Sequence, residues 1–359
     1  MKKLIRVPAN ETFAALNLML DVLDGRSAGF ITPSEVNGVK PVVEGLPESV
    51  EDHIGLVVES SGSTGLPKKI SLSVDALKHS STAALDRLGG PGQWLLALPV
   101  NFIAGANVLL RSVLSDTQPV MLNARVPFTT EAFVRGASLL DGARRYTSLV
   151  PAQLAKLAQD AEQDAFVFSM LRKFDAILVG GQQPNWSDVA ALRAKGINIV
   201  VSYGMTETAG GCIFDGEPLD GVEYRLVEGQ IEIAGKTLAE EVGPWFRTND
   251  LGELVDGKLQ VLGRSDRVII SGGLKISLDR IEQAAVELPG VDSAVAVALR
   301  SSWGESVGIV YQGSPEVDFS ELAQISPAAK VIKTVLVTEL PTLESGKPDL
   351  IACKALLAD

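Results

Sequence analysis

ESSGSTGLPKK, residues 59–69, is a stretch rich in glycine, hydroxyl and lysine residues that indicates the kind of fold and ligand to expect. It follows an apolar run, residues 54–58, that predicts a buried strand, and it precedes an amphipathic segment that predicts a helix from near Ser73. Its glycines let backbone N–H groups converge, its hydroxyls add donors and its lysines add positive charge, which suits a polyphosphate. It is not a Walker A loop, because Pro67 stands where that motif requires glycine. On composition alone, a flexible surface turn is the alternative.

The overall composition limits the kinds of function open to this chain. With 359 residues and 46% hydrophobic content, the chain can form two or three domains with real cores. A net charge of −12 argues against nucleic-acid binding but permits a local positive cleft for a nucleotide. The two cysteines, Cys212 and Cys353, lie far apart and predict reduced thiols. No apolar run has the length of a membrane span, so we expect a soluble, cytoplasmic protein.

The order of apolar and amphipathic segments predicts an α/β fold in two domains. Between residues 54 and 203, short apolar runs alternate with amphipathic segments, which is typical of parallel sheets with helices on their faces. Residues 222–262 hold short alternating runs broken by glycines and predict a small β subdomain. We therefore predict a large N-terminal domain over residues 1–265 and a small, mobile α+β C-terminal domain over residues 266–359. Residues 26–52, with their glycines and prolines, predict a loop.

Five blocks of sequence resemble the motifs of one superfamily. They are ESSGSTGLPKK (59–69), SYGMTET (202–208), WFRTND (245–250), GRSDR (263–267) and PTLESGK (341–347). Their types and order resemble the adenylate-forming superfamily, which contains acyl-CoA synthetases, luciferases and the adenylation domains of peptide synthetases. The resemblance implies that a carboxylic acid is joined to AMP, with ATP as the donor, before a thiol accepts the acyl group.

The first step of such a reaction needs charge neutralisation at the phosphates of ATP more than it needs a proton-transfer residue. The resemblance implies that the β- and γ-phosphates are held by Ser61, Ser63, Thr64 and Lys68. It also implies that Thr206 meets the α-phosphate and that Glu207 binds Mg²⁺, a hard cation that prefers oxygen ligands. A helix-capping carboxylate is the alternative interpretation of Glu207.

The same resemblance assigns contacts to the adenine. Tyr203 and Gly204 would lie along the base, Tyr203 by stacking, and simple packing at a strand end is the alternative for Tyr203. Gly181 belongs to the glycine turn GGQQP, residues 180–184, which resembles the wall of the adenine and acyl pocket.

Two residues are assigned to the ribose. Asp250 would accept hydrogen bonds from the ribose diol, and Arg264 resembles a second ribose contact. Asn249 stands where the superfamily usually has glycine, and we expect it to adopt the left-handed backbone that such a glycine would adopt.

The C-terminal blocks imply two domain orientations. Lys347 would bridge the carboxylate and the α-phosphate during adenylation, and a solvated surface charge is its alternative. Rotation about a hinge at Asp266 would then withdraw Lys347. It would present Gly272 and Gly273, which leave room for the pantetheine of CoA. A plain hairpin turn is the alternative for these two glycines.

The acid itself is suggested by LPVNFIAGANVLLRS, residues 98–112. This segment resembles the L-P-x-x-H-I-x-G motif, followed by an arginine, of the compact bacterial o-succinylbenzoate–CoA ligases of menaquinone biosynthesis. Phe102 stands where that motif has histidine, and Arg111 is available to pair with a second carboxylate of the acid. A surface helix charge is the alternative for Arg111. Few residues precede the 59–69 stretch, which implies a first subdomain that is truncated or completed by a partner protomer in a homodimer.

The sequence as a whole favours an AMP-forming acid–CoA ligase with o-succinylbenzoate as its acid and ATP, Mg²⁺ and CoA as its cofactor and co-substrates. Three alternatives stay open: another aryl or short-chain acid ligase, a stand-alone adenylation module that loads a carrier protein, and a nucleotide-binding protein without turnover. The last is disfavoured because Glu207, Asp250 and Lys347 occur together.

Overall fold

The computed structural model describes residues 1–34, 43–60, 68–123, 126–271, 273–301, 304–326, 329–343 and 346–358. The helices in these ranges are α1 (Thr12–Leu23), α2 (Val74–Arg87), α3 (Ile103–Leu114), α4 (Thr130–Ser138), α5 (Pro151–Gln163), α6 (Ala165–Leu171), α7 (Trp186–Ala194), α8 (Leu278–Val286) and α9 (Leu350–Leu356). Short 3₁₀ turns cover Thr206–Thr208, Ser265–Arg267 and Phe319–Gln324.

The strands from the N-terminus to the middle of the chain are β1 (Lys2–Pro8), β2 (Ala28–Thr32), β3 (Ser49–Val50), β4 (Ile54–Ser60), β5 (Lys68–Ser73), β6 (Gln93–Leu96), β7 (Val120–Met121), β8 (Arg145–Leu149), β9 (Ala176–Gly180), β10 (Ile199–Met205), β11 (Gly210–Phe214) and β12 (Glu217–Pro218). The later strands are β13 (Val222–Val227), β14 (Gln230–Gly235), β15 (Phe246–Val255), β16 (Lys258–Arg264), β17 (Val268–Ser271), β18 (Leu274–Ser277), β19 (Val291–Ser301), β20 (Gly304–Gly313) and β21 (Val331–Leu336).

Within the described ranges these strands form four sheets. Their orders are β3-β1-β2-β4-β5, β12-β11-β10-β9-β8-β6-β7, β13-β14-β15-β16, and β18-β17-β20-β19 with β21 paired to β20. In the second sheet, β7, β6, β8, β9 and β10 are mutually parallel, because helices connect them, whereas β11 returns antiparallel to β10. The mixture of parallel sheets, helices and small antiparallel sheets confirms the predicted α/β fold class.

Packing divides the chain into two compact units. The first consists of Met1–Tyr224 and Ile233–Phe246, and the second of Arg225–Glu232 and Arg247–Asp359. One core of the first unit lies on the seven-stranded sheet, where Leu95, Phe133 and Ile177 are fully buried. The second has a separate core between α8 and the sheet that contains β19 and β20. The boundary at residue 265 and the mobility of the C-terminal domain stay predictions.

Helix α3 is the most completely buried helix of the first unit. It packs against α1, α2, β6, β8 and β11, and its residues 105–112 are all buried. Polar residues on α3 are therefore buried as well, among them Asn107, Arg111 and Ser112. Position 105 must be glycine, since a Cβ there would lie 2.2 Å from the carbonyl oxygen of Pro99.

One local prediction was wrong and another was confirmed. Residues 26–52 were expected to be loop, yet they contain β2 and β3. β2 is a short strand between parallel neighbours, buried on both faces, so its residues do not alternate between apolar and polar. The helix predicted from near Ser73 is confirmed, since α2 begins at Val74 with Ser73 as its N-cap residue. The strand β5, which was not predicted, leads into this helix, and its Lys68 pairs with Ser60 of β4. None of the helices in the described part of the chain is both long and apolar enough to cross a membrane.

Candidate active site

The turn Thr206–Thr208 follows β10 at the carboxyl end of the parallel part of its sheet, where open α/β sheets bind ligands. The Thr208 hydroxyl is buried and closes the turn, with Oγ1 3.0 Å from the amide of Met205 and 2.7 Å from the carbonyl oxygen of Gly210. Thr206 and Glu207 are half-buried, so their side chains are still accessible. The turn can therefore present a hydroxyl and a carboxylate to a polyphosphate and its cation.

The strand ends beside this turn place the predicted adenine residues together. Gly180 of β9 is in register with Ser202 of β10, which puts Gly181 and Tyr203 at neighbouring strand ends. Gly181 has φ +88°, a left-handed conformation suited to glycine. A Cβ on Gly204 would lie 2.1 Å from the carbonyl oxygen of Gly210, so this position admits no side chain.

Arg111 is not the surface charge that the sequence left as an alternative. Its side chain is 3% exposed, and its guanidinium carbon lies 5.3 Å from the ring centroid of buried Trp94. Burial lowers the pKa of Arg111 to about 10. Its Nε has no hydrogen-bond partner, and no carboxylate of the described residues lies within salt-bridge distance of it.

Phe102, the other residue predicted to contact the acid, is the N-cap residue of α3 and is half-buried.

Asp250 and Arg264, the two predicted ribose contacts, are directly opposite each other on β15 and β16 of the second unit. The hydroxyl of Thr248 accepts a hydrogen bond from the amide of Asp250 at 3.0 Å and donates to the carbonyl of Ile231 at 2.8 Å. The expectation for Asn249 was wrong: it lies in the extended strand β15 and its φ is not positive.

The predicted hinge residue Asp266 lies in the 3₁₀ turn Ser265–Arg267 and pairs with Arg264, whose Nε is 2.8 Å from Asp266 Oδ1. The following residue, Arg267, is tied to α8 by ion pairs with Asp279 at 3.0 Å and Glu282 at 2.5 Å. Burial raises the pKa of Glu282 to about 7, although Arg267 opposes that shift. The rotation itself is a motion, and it stays a prediction.

Lys347 lies on a small loop that is closed by its own backbone. The carbonyl of Lys347 accepts from the amide of Leu343 at 2.8 Å, and Thr342 forms a bridge with Pro348. The side chain of Lys347 is exposed.

Gly273 has φ +85° between β17 and β18, and apart from its chain neighbours no atom of the described residues lies within 4 Å of the position that a Cβ would occupy. The predicted site residues Ser61, Ser63, Thr64 and Gly272 lie outside the described residues, and Lys68 is the exposed first residue of β5.

The segment that follows β14 in the first unit was not predicted to belong to the site. The amide of Ala239 donates to the carbonyl of Glu207 at 2.9 Å, and the carboxylate of Glu241 accepts from the amide of Ser71 at 2.8 Å. This segment therefore connects β5, which begins at Lys68, with the turn that carries Glu207. No sequence signal marked it, because a carboxylate that accepts from a distant backbone amide has no characteristic spacing.

The residues present fit a magnesium nucleotide rather than a metal held by protein alone. The described residues contain no group of three or more His, Cys, Asp or Glu side chains placed to hold a metal ion. The half-buried carboxylate of Glu207 is a hard oxygen donor, and a cation held there would need its remaining ligands from phosphate oxygens and water.

This chain is similar to known proteins in its family, in its sequence and in its fold. The family model for AMP-binding enzymes matches residues 9–245. A probable 2-succinylbenzoate–CoA ligase of Mycobacterium tuberculosis is 42% identical over 313 residues, which are 82% of this chain and 79% of that protein. A variant of Escherichia coli MenE with bound OSB-AMS superposes with a TM-score of 0.75 at 20% identity, over 99% of this chain and 87% of that one. Bacillus subtilis MenE with ATP and magnesium gives 0.72 at 22% identity, over 96% and 83% of the two chains. These structural likenesses confirm the fold.

Proposed function

The chain belongs to the family of AMP-binding enzymes, and from that premise we propose that it is an acid–CoA ligase acting on 2-succinylbenzoate (o-succinylbenzoate). ATP and the acid give acyl-AMP and pyrophosphate, and CoA then gives acyl-CoA and AMP. A product of this kind belongs to menaquinone biosynthesis. The proposal is supported by the 42% identity to a protein named as a probable 2-succinylbenzoate–CoA ligase and by one observation on the proposed acid site.

That observation is the buried guanidinium of Arg111. A charge out of contact with water costs free energy unless an opposite charge or hydrogen-bond acceptors compensate it. Among the described residues Arg111 has no carboxylate partner, and its Nε is unpaired. Contact with the face of Trp94 offsets only part of the cost. A second carboxylate of the acid would supply the missing anion, which favours a dicarboxylic substrate over a simple aryl or fatty acid.

We assign the phosphate chemistry to the turn after β10 and to the 59–69 stretch. The Thr206 hydroxyl donates to the α-phosphate, while Ser61, Ser63, Thr64 and Lys68 hold the β- and γ-phosphates. Glu207 holds Mg²⁺, which when bound neutralises charge on the phosphate oxygens. Hydroxyl and ammonium groups that neutralise the leaving pyrophosphate lower the barrier without any general base.

We assign the adenosine to Tyr203, Gly204, Gly181, Asp250 and Arg264. Tyr203 stacks on the adenine, the two glycines leave space for its approach, and Asp250 with Arg264 binds the ribose hydroxyls. An ionised acceptor is suited to a diol, because charge-assisted hydrogen bonds are shorter and stronger than neutral ones.

We assign the two half-reactions to two orientations of the C-terminal domain about Asp266. In the first, Lys347 bridges the acid carboxylate and the α-phosphate. In the second, Gly272 and Gly273 line the path of the CoA thiol, which attacks the acyl-adenylate and releases AMP. The exposure of Lys347 and the open space at Gly273 support this assignment. We further propose a cytoplasmic location and assembly as a homodimer.

The test is pyrophosphate exchange into ATP in the presence of single acids, followed by release of AMP on addition of CoA. The acids are 2-succinylbenzoate, benzoate, succinate and a medium-chain fatty acid. We expect exchange with 2-succinylbenzoate above all others, and stoichiometric thioester with CoA. Exchange that favours benzoate or the fatty acid would overturn the substrate. Exchange without any CoA-dependent release of AMP would indicate an adenylation module that serves a carrier protein.

A further inference from the structure

Two buried side chains converge on one backbone carbonyl just after the turn that carries Thr206 and Glu207. The side-chain amide Nδ2 of Asn107 on α3 donates to the carbonyl oxygen of Ala209 at 2.9 Å. The hydroxyl of Ser80 on α2 donates to the same oxygen at 3.0 Å. Asn107 is 1% exposed and Ser80 is fully buried, so water cannot replace either donor.

The backbone at Ala209 is one that alanine adopts only when its surroundings impose it. Its φ and ψ are +52° and +32°, the left-handed region in which the Cβ crowds the following carbonyl. The amide of Ala209 donates to the carbonyl of Thr206 at 3.0 Å, so this conformation also closes the turn. The two donors to the carbonyl oxygen of Ala209 stabilise this left-handed conformation. They thereby also fix the direction in which the side chains of Thr206 and Glu207 project.

The orientation of the Asn107 amide follows from its neighbours. A reversed amide would place Oδ1 against the Ala209 carbonyl, and two acceptors would repel each other. Gly210 has φ +97°, and a Cβ on it would lie 2.2 Å from Asn107 Nδ2. The glycine is therefore required for the amide to reach the carbonyl. Oδ1 of Asn107 has no partner among the described residues, so the donated bond is the contact that explains this buried polar residue.

We infer that Asn107 and Ser80 are positioning residues for adenylation: they hold the Thr206–Thr208 turn through the carbonyl of Ala209. Asn107 and Arg111 are four residues apart on α3 and lie on the same side of that helix. One buried helix thus supports both the turn assigned to the α-phosphate and the arginine assigned to the acid. This inference rests on the proposed function of Thr206, Glu207 and Arg111, and it adds two residues that do not touch the substrates.

The test compares Asn107→Leu, Ser80→Ala and the double variant with Ser81→Ala as the matched control. Ser81 is the next residue of α2 and is equally buried, but its hydroxyl has no hydrogen-bond partner among the described residues. We expect Asn107→Leu and Ser80→Ala each to lower kcat for pyrophosphate exchange by roughly 10- to 100-fold. They should also raise the Mg²⁺ concentration for half-maximal rate, with KM for the acid little changed. Ser81→Ala should match the wild type.

The double variant shows whether the two donors act through one carbonyl. The fold-decrease in kcat of the double variant should differ from the product of the two single fold-decreases, because both side chains donate to the same carbonyl oxygen. Normal kcat and Mg²⁺ dependence in variants with a lowered Tm would overturn the inference, since that result is what a purely structural role produces. So would equal losses in Ser81→Ala.

A failure of the proposed function would be visible separately. If the wild type catalyses no exchange with any acid, the reaction assigned above is wrong, and the positioning role is then measured by AMP binding in a calorimeter. We expect weaker AMP binding for Asn107→Leu and Ser80→Ala than for Ser81→Ala. Equal affinities in all three would overturn the positioning role.

Discussion

Asp250 and Arg264 face each other across β15 and β16, with Asp250 Oδ1 4.0 Å from Arg264 Nη1. The same guanidinium makes its closer contacts with Asp266, and that carboxylate is the first cause of a raised pKa of Arg264. One arginine therefore contacts both the carboxylate assigned to the ribose and the residue assigned to the hinge. The proposed ribose contact at Asp250 and the proposed hinge at Asp266 thus share the side chain of Arg264, so Asp250 is the first residue to test.

Asp250→Ala is expected to raise KM for ATP about 10- to 100-fold, because hydrogen bonds to a charged acceptor contribute about 1.5–3 kcal/mol. The rate at saturating ATP should change less. Pyrophosphate exchange as a function of ATP concentration measures both. Glu253→Ala, an exposed residue of the same strand, is the control and should leave KM unchanged. An unchanged KM in Asp250→Ala would remove this residue from the nucleotide site.

Lys347→Ala is expected to lower the rate of acyl-AMP formation by about 10²–10³-fold, since it removes a cation from the developing charge. Thioester formation from preformed acyl-AMP should be largely retained, because the proposed second orientation of the C-terminal domain withdraws Lys347 from the site. Separate assays of the two steps provide the measurement, with Lys354→Ala on exposed α9 as the control. Equal loss of both steps would contradict the rotation about Asp266.

Arg111→Met is expected to raise KM for 2-succinylbenzoate by at least about tenfold, since the variant removes the proposed pairing of the buried guanidinium with the second carboxylate of the acid. Exchange with benzoate, which lacks the second carboxylate, should be unaffected. Methionine fills a similar volume, and the variant no longer buries an uncompensated charge, so Tm should be unchanged or higher. An equal loss with both acids, or a large fall in Tm, would argue against a carboxylate partner for Arg111.

Glu282→Gln is expected to flatten the pH dependence of stability. Because burial raises the pKa of Glu282 from 4.5 to about 7, the folded chain retains a proton that the unfolded chain releases. The stability from this group is complete below pH 4.5 and is lost as the pH rises through about 7. Urea unfolding at pH 5 and pH 8 should show the wild type losing on the order of 2 kcal/mol more than Glu282→Gln. Glu287→Gln, exposed after the same helix, should behave as the wild type.

Both thiols are expected to be unreactive in the native protein. Cys212 and Cys353 are free and fully buried, which confirms the prediction of reduced thiols. Burial raises the pKa of Cys212 to about 12 and also raises that of Cys353, and the thiolate is the reactive form. Titration with a chromogenic disulfide at pH 8 should detect no thiol before unfolding and two after it. A thiol that reacts quickly in the folded protein would contradict this burial.

The parts of the fold with strong periodicity were predictable, and the parts decided by neighbours were not. The helix predicted from near Ser73 is observed as α2, which begins at Val74, because its amphipathic spacing is a local signal. β2 was missed because a five-residue strand between parallel partners lacks alternation. Asn249 was assigned a glycine-like backbone by analogy with a motif, whereas its position in an antiparallel pair makes it extended.

The amino-acid sequence by itself identified the family, because five ordered blocks resemble the motifs of the adenylate-forming superfamily, and the predicted chemistry follows from that resemblance. It also predicted residues for the proposed site, including Arg111 and Asp250. Only the tertiary structure decided that Arg111 is buried without a carboxylate partner, that Asp250 lies opposite Arg264, and that Asn107 holds the carbonyl of Ala209. The physical reason is that burial and hydrogen-bond partners depend on residues far apart in the chain, such as Asn107 and Ala209. The local spacing of residue types does not indicate which of these distant residues will be in contact.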